Sequence, residues 1–379
     1  MIRVLLVFGT RPEAIKLCPL YRHLASRDGF EARVCVTAQH RTMLDQVLET
    51  FRVTPDHDLD LMQPSQTLAR STSRILAALE GVIAADRPDL VVVQGDTTTT
   101  MAAAMAAFYQ KAPVGHVEAG LRTGDMEQPF PEEMNRVVTT RLASLHFAPT
   151  DWAARNLLSE GVDPASVHVT GNTGIDAVLE VSRELAAGSL RGRDWPELDP
   201  SRKLIAVTAH RRENFGQGFE QICNALMRLA ARPDVQIVYP VHRNPNVLEP
   251  ATTRLASLPG VLLMEPLDYV SFVDLMRRAY LLLTDSGGVQ EEGPSLGKPV
   301  LVMREKTERP EAVEAGTVKL VGTDEDRIVA EAERLLDDSA EYARMQRVHN
   351  PYGDGHACER IAEAIRRYFS RSFVEDPLA

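Results

Sequence analysis

The chain has 379 residues, which is more than one ordinary domain holds and suits two domains of roughly 150–200 residues each. Its net charge of −11 argues against a nucleic-acid-binding surface, so local arginines and helix N-termini would have to attract an anionic substrate. No apolar run approaches the roughly 20 residues of a membrane span, and the chain starts with a strand pattern instead of a signal peptide. We therefore predict a cytoplasmic protein with no membrane partner.

Short apolar runs alternate with helical stretches along the whole chain. In the first half the runs cover residues 2–8, 32–37, 90–94, 114–118 and 145–148. In the second half they cover residues 204–208, 235–240, 261–264, 281–284, 300–303 and 318–321. This alternation is typical of parallel sheets covered by helices on both faces. It predicts an α/β protein with two doubly wound, Rossmann-like domains, 1–170 and 171–354, and a C-terminal helix in 355–379 that packs back on the first domain.

Ligands of doubly wound folds bind beyond the carboxyl ends of the strands, so the residues that follow each strand are the candidates for function. Arg11 and Lys16 follow the first run and lie near a predicted helix N-terminus, where they would suit a diphosphate. A surface arginine and a lysine that extends into solvent would fit this motif equally well. The turn lacks the glycines of a dinucleotide fingerprint, which argues against NAD at this position.

Three carboxylates in the first half are candidates for proton transfer. Asp96 follows the run at 90–94, where an N-cap aspartate is the simpler interpretation. Glu118 ends the next strand and is poorly placed for capping. Glu132 lies in a stretch stiffened by prolines, which either closes over a site or starts a helix.

The second half carries basic and aromatic candidates after its strands. His210 follows the run at 204–208 beside two arginines, which favours contact with an anion, and His242 repeats this pattern more weakly. Phe272 either stacks on a base or belongs to a helix core. Arg309 follows the run at 300–303 and is expected to contact the same anion as His210.

The most distinctive stretch is residues 284–299, which predicts a strand, a turn, a short helix and a further strand. Ser286 is a plausible N-cap, and Gly287 and Gly288 would let backbone N–H groups approach a phosphate. Glu291 or Glu292 lies about one turn later and could accept hydrogen bonds from a ribose diol. An ordinary turn with a solvated acidic pair remains the alternative.

Sequence blocks that span nearly the full length resemble a known family. They are GTRPEAIK, TAQHR, QGDTTTT, HVEAGLR, PEEMNR, HRREN with FG, VHRNP, and TDSGGVQEEGPSLGKPVLVMR with TERPE. In order and spacing they are similar to the non-hydrolysing UDP-N-acetylglucosamine 2-epimerases of bacteria. The resemblance implies a glycosyltransferase-B-like fold with two domains facing across a cleft, a homodimer, and no cofactor or metal.

The resemblance also implies reversible epimerisation of UDP-N-acetylglucosamine (UDP-GlcNAc) to UDP-N-acetylmannosamine (UDP-ManNAc) at C2. The implied route eliminates UDP to 2-acetamidoglucal and adds it back, and the product feeds cell-surface polysaccharide synthesis. Carried over by position, the catalytic residues are Asp96, Glu118, Glu132 and His210. The substrate-binding residues are Arg11, Lys16, Leu267, Phe272, Ser286, Gly287, Gly288, Glu292 and Arg309.

Bacterial members of this family also bind a second UDP-GlcNAc as an activator. Gln39, His40 and His242, together with Glu132, match parts of that site. The chain departs from activated relatives at Thr42 and Ser65, where Gln and Arg are expected. Because a diphosphate site would lose an arginine, the sequence leaves activation open.

Four other functions remain compatible with the sequence. A close relative could hydrolyse the substrate to free ManNAc and UDP, or act on a diacetamido UDP-sugar. A glycosyltransferase of the same fold would require an acceptor. A non-catalytic nucleotide-sugar sensor is disfavoured, because it would not need Asp96, Glu118 and Glu132 together.

Overall fold

The computed structural model describes residues 1–37, 41–61, 66–307, 309–347 and 349–375, with only the backbone described for 41, 42 and 371–375. The chain divides into two compact units. Unit 1 comprises Met1–Ala177 with Tyr352–Ala379, and unit 2 comprises Val178–Pro351. Among the described residues, no helix is both long and apolar enough to cross a membrane.

Unit 1 is built on a parallel sheet. Its described strands are β1 (Ile2–Phe8), β2 (Phe30–Val36), β3 (His57–Asp58), β4 (Leu90–Gln94), β5 (Val114–Val117), β6 (Leu145–Ala148) and β7 (Val167–Val169). They pair in the order β3-β2-β1-β4-β5-β6-β7. The central strand β4 is buried along its whole length, which explains its uninterrupted apolar sequence.

Helices cover this sheet. They are α1 (Arg11–Ala25), α2 (Arg41–Thr50), α3 (Leu68–Asp86), α4 (Thr98–Tyr109), α5 (Glu132–Leu142) and α6 (Asp151–Ser159). The next helix, α7 (Thr173–Ala187), contains the division between the units. One core cluster joins β1, β4 and β5 to α3 and to the alanine-rich face of α4.

Unit 2 repeats the architecture with a second parallel sheet. Its described strands are β8 (Lys203–Thr208), β9 (Val235–Pro240), β10 (Val261–Met264), β11 (Leu281–Thr284), β12 (Val300–Val302) and β13 (Val318–Leu320), in the order β10-β9-β8-β11-β12-β13. Its helices are α8 (Gln217–Ala230), α9 (Pro245–Leu255), α10 (Tyr269–Arg278), α11 (Gly287–Ser295), α12 (Pro310–Ala315), α13 (Glu325–Asp337) and α14 (Ser339–Gln346).

The last helix returns to unit 1. This helix, α15 (Ala357–Glu375), contacts α1. The Arg366 guanidinium donates to the carbonyl of Asp28 at 2.6 Å and lies 5.1 Å from the ring centroid of Phe30. The side chain therefore ties α15 to the start of β2.

Each sheet reverses its strand order once, and this reversal positions the candidate site. In unit 1 the order reverses between β1 and β4, and in unit 2 between β8 and β11. Loops leave adjacent strands in opposite directions there, which opens a crevice at the carboxyl ends. The prediction of two doubly wound domains is confirmed. The sequence pattern missed β3 and β7, since such short edge strands carry no apolar run.

Candidate active site

A cavity of about 490 Å³ lies at the carboxyl ends of β1, β4 and β5 in unit 1. Four predicted residues, Lys16, Asp96, Glu118 and Glu132, line it together. Arg11 occupies the first position of α1, is half-buried, and is not among the lining residues. The structure thus brings together four of the five catalytic and substrate-binding residues that the sequence analysis named in this unit.

The turn from β1 to α1 is held by a capping box. Thr10 is the N-cap, its hydroxyl accepts from the backbone N–H of Glu13, and the Glu13 carboxylate accepts from the N–H of Thr10 at 2.7 Å. Pro12 occupies the second helical position. Arg11 therefore starts the helix, where its backbone N–H is one of the unsatisfied groups of the first turn.

Glu13 connects two loops of the site, and the sequence reasoning missed it. One carboxylate oxygen accepts from the N–H groups of Gly9 and Thr10, and the other accepts from the hydroxyls of Thr97 at 2.6 Å and Thr100 at 3.2 Å. Burial raises the pKa of Glu13, against the effect of these hydrogen bonds. The Thr-x-x-Glu spacing was the available signal for the local half of this role.

Asp96 lies between β4 and α4 but does not cap that helix. The N-cap is Thr97, whose hydroxyl accepts from the N–H of Thr100. The Asp96 carboxylate pairs with the guanidinium of Arg136, and its carbonyl accepts from the side-chain amide of Asn135 at 2.9 Å. The N-cap interpretation is therefore wrong, because α4 begins one residue later, and the acid is held by two residues of α5.

Glu118 adopts a backbone conformation that is unusual for a residue other than glycine, with φ of +63°. Its carboxylate forms an ion pair with Lys16 and accepts from the side-chain amide of Gln94 at 2.9 Å. The side chains of Lys16 and Glu118 are only 17% and 11% exposed, so solvent screens their attraction weakly. The predicted cation and acid therefore act as a pair.

The proline-containing stretch before Glu132 ends in a helix start, which decides between the two interpretations left open by the sequence. Glu132 and Glu133 occupy the first turn of α5, where negative charge favours the helix dipole. Glu132 lines the cavity, whereas Glu133 is buried and accepts from the N–H groups of Thr123 and Gly124 at 3.0 Å each. Glu133 therefore shapes the loop, and Glu132 borders the cavity.

His116, on β5, supports the Asp96 loop in a fixed protonation state. Its Nε2 lies 2.7 Å from the carbonyl oxygen of Gly95, which can only accept, so Nε2 carries the proton. Nδ1 is buried and has no hydrogen-bond partner among the described residues. Burial lowers the pKa of His116 from 6.5 to about 3, although the bond to Gly95 acts in the opposite direction.

This pKa predicts acid sensitivity. Because the unfolded chain binds the proton near pH 6.5 and the folded chain near 3, stability is retained above pH 6.5 and lost as the pH falls towards 3. We expect His116 alone to lower the free energy of unfolding by about 2 kcal/mol between pH 7 and pH 5. Urea unfolding at both pH values should show a smaller loss in His116→Gln. An equal loss in both proteins would contradict the prediction, since the other histidines contribute to each alike.

In unit 2, His210 follows β8 at the sheet's reversal point and is half-buried. Its Nδ1 lies 3.3 Å from a carboxylate oxygen of Asp285, which follows β11 and is fully buried. The ring stacks on the exposed His242 with centroids 5.6 Å apart and an angle of 17°. Burial lowers the pKa of His210, Asp285 opposes this, and Arg211 and His242 add to it.

Helix α11 begins with an uncapped N-terminus. Ser286 is the N-cap residue as predicted, but its hydroxyl makes no capping hydrogen bond. The first N–H groups of a helix have no partner within the helix, so this end can receive an anion. Gly288 is exposed, and a Cβ added there would meet nothing within 4 Å. The backbone at Gly288 is therefore accessible to a ligand.

Gly287 has a different reason to be glycine. A Cβ there would lie 2.6 Å from the guanidinium of Arg309, so Arg309 packs directly on the first turn of α11. Arg309 also donates to the Glu291 carboxylate at 2.6 Å, and Glu291 is buried. Of the two acids considered for a ribose, Glu291 is thus engaged in this ion pair, and Glu292 is only partly buried.

These two glycines provide a matched test of the α11 N-terminus. We expect Gly288→Ala to fold normally, because alanine favours a helix by about 0.5–1 kcal/mol over glycine. If the UDP implied by the family resemblance binds at this end, the variant should weaken its binding about tenfold by blocking the backbone. Gly287→Ala should displace Arg309 and lower both stability and binding. Thermal unfolding and UDP titration calorimetry measure these effects. Unchanged UDP affinity in Gly288→Ala would contradict the expectation that the ligand contacts the backbone at Gly288.

Of the remaining predicted residues, Leu267 and Phe272 follow the edge strand β10 in unit 2, and several of unit 1 lie outside the described residues. Phe272 is half-buried on α10, outside the helix core, and the half-buried Leu267 precedes Asp268, the N-cap of α10. Gln39, His40 and Ser65 lie outside the described residues, as does the side chain of Thr42. His242 is described and lies against His210.

Known proteins are similar to this chain over nearly its full length. The family model described as UDP-N-acetylglucosamine 2-epimerase matches residues 22–366. A protein of that name from Escherichia coli (strain K12) is 58% identical over 369 residues, which cover 96% of this chain and 98% of the relative. The structure of UDP-GlcNAc 2-epimerase from Neisseria meningitidis bound to UDP-GlcNAc has a TM-score of 0.89 and 47% identity, covering 97% of this chain and 100% of that one.

A more distant solved structure has the same description. The UDP-GlcNAc 2-epimerase from Methanocaldococcus jannaschii, in complex with UDP-GlcNAc and UDP, has a TM-score of 0.76 and 32% identity, covering 97% of this chain and 100% of that one. The match therefore extends over both units. The chain belongs to the UDP-N-acetylglucosamine 2-epimerase family.

Proposed function

We propose that the protein interconverts UDP-GlcNAc and UDP-ManNAc by epimerisation at C2 without hydrolysis. The observation that carries the proposal is the cavity of unit 1, in which Lys16, Asp96, Glu118 and Glu132 converge in a member of this family. Three carboxylates and a cation around one cavity suit proton transfer on a neutral sugar that bears an anionic leaving group.

The chemistry of epimerisation at C2 explains why several carboxylates and a cation are needed in one cavity. The C2 proton of a hexose is not acidic, so its direct removal is very costly. In the proposed route a carboxylate takes the C2 proton while the bond from C1 to the diphosphate breaks, which yields 2-acetamidoglucal and UDP. A proton then returns to C2 on the opposite face, and UDP adds back to C1. Asp96, Glu118 and Glu132 are the proposed proton carriers.

Unit 2 offers the groups proposed to hold UDP. The uncapped end of α11, with Ser286, Gly287 and Gly288, suits a phosphate. His210 and Arg309 are further anion contacts, as are Arg11 and Lys16 of unit 1. We assign the ribose to Glu292, the base to Phe272 and to the backbone at Leu267, and these assignments rest on the family resemblance.

Incubation with UDP-GlcNAc in deuterated water tests the proposal directly. We expect proton NMR to show both epimeric sugar nucleotides, each progressively labelled with deuterium at C2, and no free ManNAc. Accumulation of free ManNAc and UDP would assign a hydrolysing enzyme, and conversion without label would exclude elimination with solvent exchange. Absence of conversion at any protein concentration would contradict the proposed activity.

The homodimer and the activator site remain proposals from the resemblance, and the cytoplasmic location remains a proposal from the sequence. Loss of the expected arginine at Ser65 weakens the case for an activator. Initial rates against UDP-GlcNAc concentration distinguish the alternatives, because activation by substrate gives a sigmoidal curve and its absence a hyperbolic one. Ultracentrifugation would test the dimer.

A further inference from the structure

The buried carboxylate of Asp285 organises the loop that carries His210. Asp285 has no exposed surface and directly follows β11, whereas His210 lies two residues after the neighbouring strand β8. One carboxylate oxygen, Oδ2, accepts from the backbone N–H groups of His210 and Arg211 at 2.7 Å each. The side-chain amide of Asn214 donates to the same oxygen at 3.3 Å. Three donors thus satisfy one of the two oxygens.

The second oxygen, Oδ1, faces the imidazole. It is buried, makes no hydrogen bond within the described residues, and lies 3.3 Å from Nδ1 of His210. A carboxylate oxygen can only accept, and leaving it buried without a donor is costly. A proton on Nδ1 supplies that donor. The alternative tautomer would set the Nδ1 lone pair against the carboxylate, and the two acceptors would repel each other.

We infer that Asp285 is a positioning residue that holds the neutral His210 ring as the Nδ1–H tautomer, so that Nε2 is the atom that gains or donates a proton. Neutral Nε2 then carries a lone pair, and protonation there gives an imidazolium whose Nδ1–H remains directed at Asp285. A carboxylate beside an imidazole fixes its tautomer and favours the protonated form in this way.

The other groups that face the ring do not perform this role. Arg211, in the same loop, and His242, from the loop between β9 and α9, both disfavour the imidazolium. The Nδ1 of His242 accepts from the N–H of Asn244 at 3.1 Å, so its neutral ring carries the proton on Nε2. Among these groups, Asp285 provides the negative charge that opposes them.

The consequence for turnover rests on the proposed function. A His210 that already holds a proton at Nε2, with the imidazolium balanced by Asp285, can donate it to a phosphate oxygen as the bond from C1 to the diphosphate breaks. UDP returns that proton to Nε2 when it adds back to C1. The tautomer itself is a property of the ligand-free chain, so it can be tested whether or not the protein is an epimerase.

Nitrogen-15 NMR of the full-length chain provides the test, with the His210 signal assigned by its absence in His210→Gln. We expect the wild-type ring to be the Nδ1–H tautomer when neutral. In Asp285→Asn the amide oxygen can still accept from the backbone, but its NH2 group then faces Nδ1. The tautomer should therefore change to Nε2–H, and the pKa of His210 should fall by at least about one.

Asn214→Ala is the matched control, because it removes a hydrogen bond to Oδ2 and leaves the contact between Oδ1 and Nδ1. We expect its thermal midpoint to fall while the tautomer and pKa of His210 stay unchanged. An Nε2–H tautomer in the wild-type chain would overturn the inference, even if Asp285→Asn failed to fold. Equal changes in both variants would also overturn it, since they would indicate general loosening of the loop. A shift of the alkaline limb of the turnover profile to lower pH in Asp285→Asn would extend the result to catalysis, because a proton donor is lost as the pH rises through its pKa.

Discussion

Asp96→Asn is expected to lower the rate of epimerisation by about 10²–10⁴-fold while UDP still binds with nearly unchanged affinity. The substitution preserves the size of the side chain but removes its ability to take or supply a proton. Because the groups proposed to bind UDP in unit 2 are untouched, the loss should appear in kcat. The measurement is the initial rate of UDP-ManNAc formation, with UDP titration calorimetry alongside it.

A control variant tests whether the loss of rate is specific to Asp96 and not general to carboxylates near the site. Asp125→Asn changes an exposed carboxylate in the loop before α5, where Oδ1 accepts from the N–H of Glu127 at 3.0 Å. We expect its rate to stay within about twofold of wild type. Turnover like that of the wild type in Asp96→Asn would remove Asp96 from the catalytic residues. A parallel loss of UDP affinity and stability would assign it a structural role through Arg136.

The second large effect is expected at the pair of Lys16 and Glu118. Removing either partner takes the opposite charge away from a largely buried group, so Lys16→Met and Glu118→Gln should each lower the free energy of unfolding by up to about 3 kcal/mol. The double variant should lose less than the sum, because it removes both charges together. Chemical unfolding of the wild type, the two single variants and the double variant measures this coupling.

Turnover by the same four proteins separates a structural pair from a pair that acts on substrate. We expect each single variant to lose about 10²–10⁴-fold in kcat, and the double variant to be no faster than the slower single one. Recovery of turnover in the double variant, together with recovered stability, would show that the pair only maintains the fold. Circular dichroism of each variant confirms that rates are compared between folded proteins.

Local sequence was sufficient for most of the helix and strand boundaries. Strands such as β4 and β11 are buried on both faces. Their apolar runs can therefore be recognised from the local sequence, without reference to the rest of the chain. Ser286 is the N-cap residue of α11 as the sequence suggested, although it does not use its hydroxyl for capping. The short edge strands β3 and β7 were missed, because they form by pairing with strands distant in sequence.

The sequence by itself determined the fold class, and it identified the candidate residues because they follow strands whose carboxyl ends must share an edge of a parallel sheet. Only the tertiary structure decided which of these residues work together. Asp96 pairs with Arg136, 40 positions away, and Asp285 faces His210, 75 positions away. Such partners lie on different loops, and strand order sets their distance. Hydrogen bonds of buried carboxylates are therefore properties of the folded sheet, which no local pattern encodes.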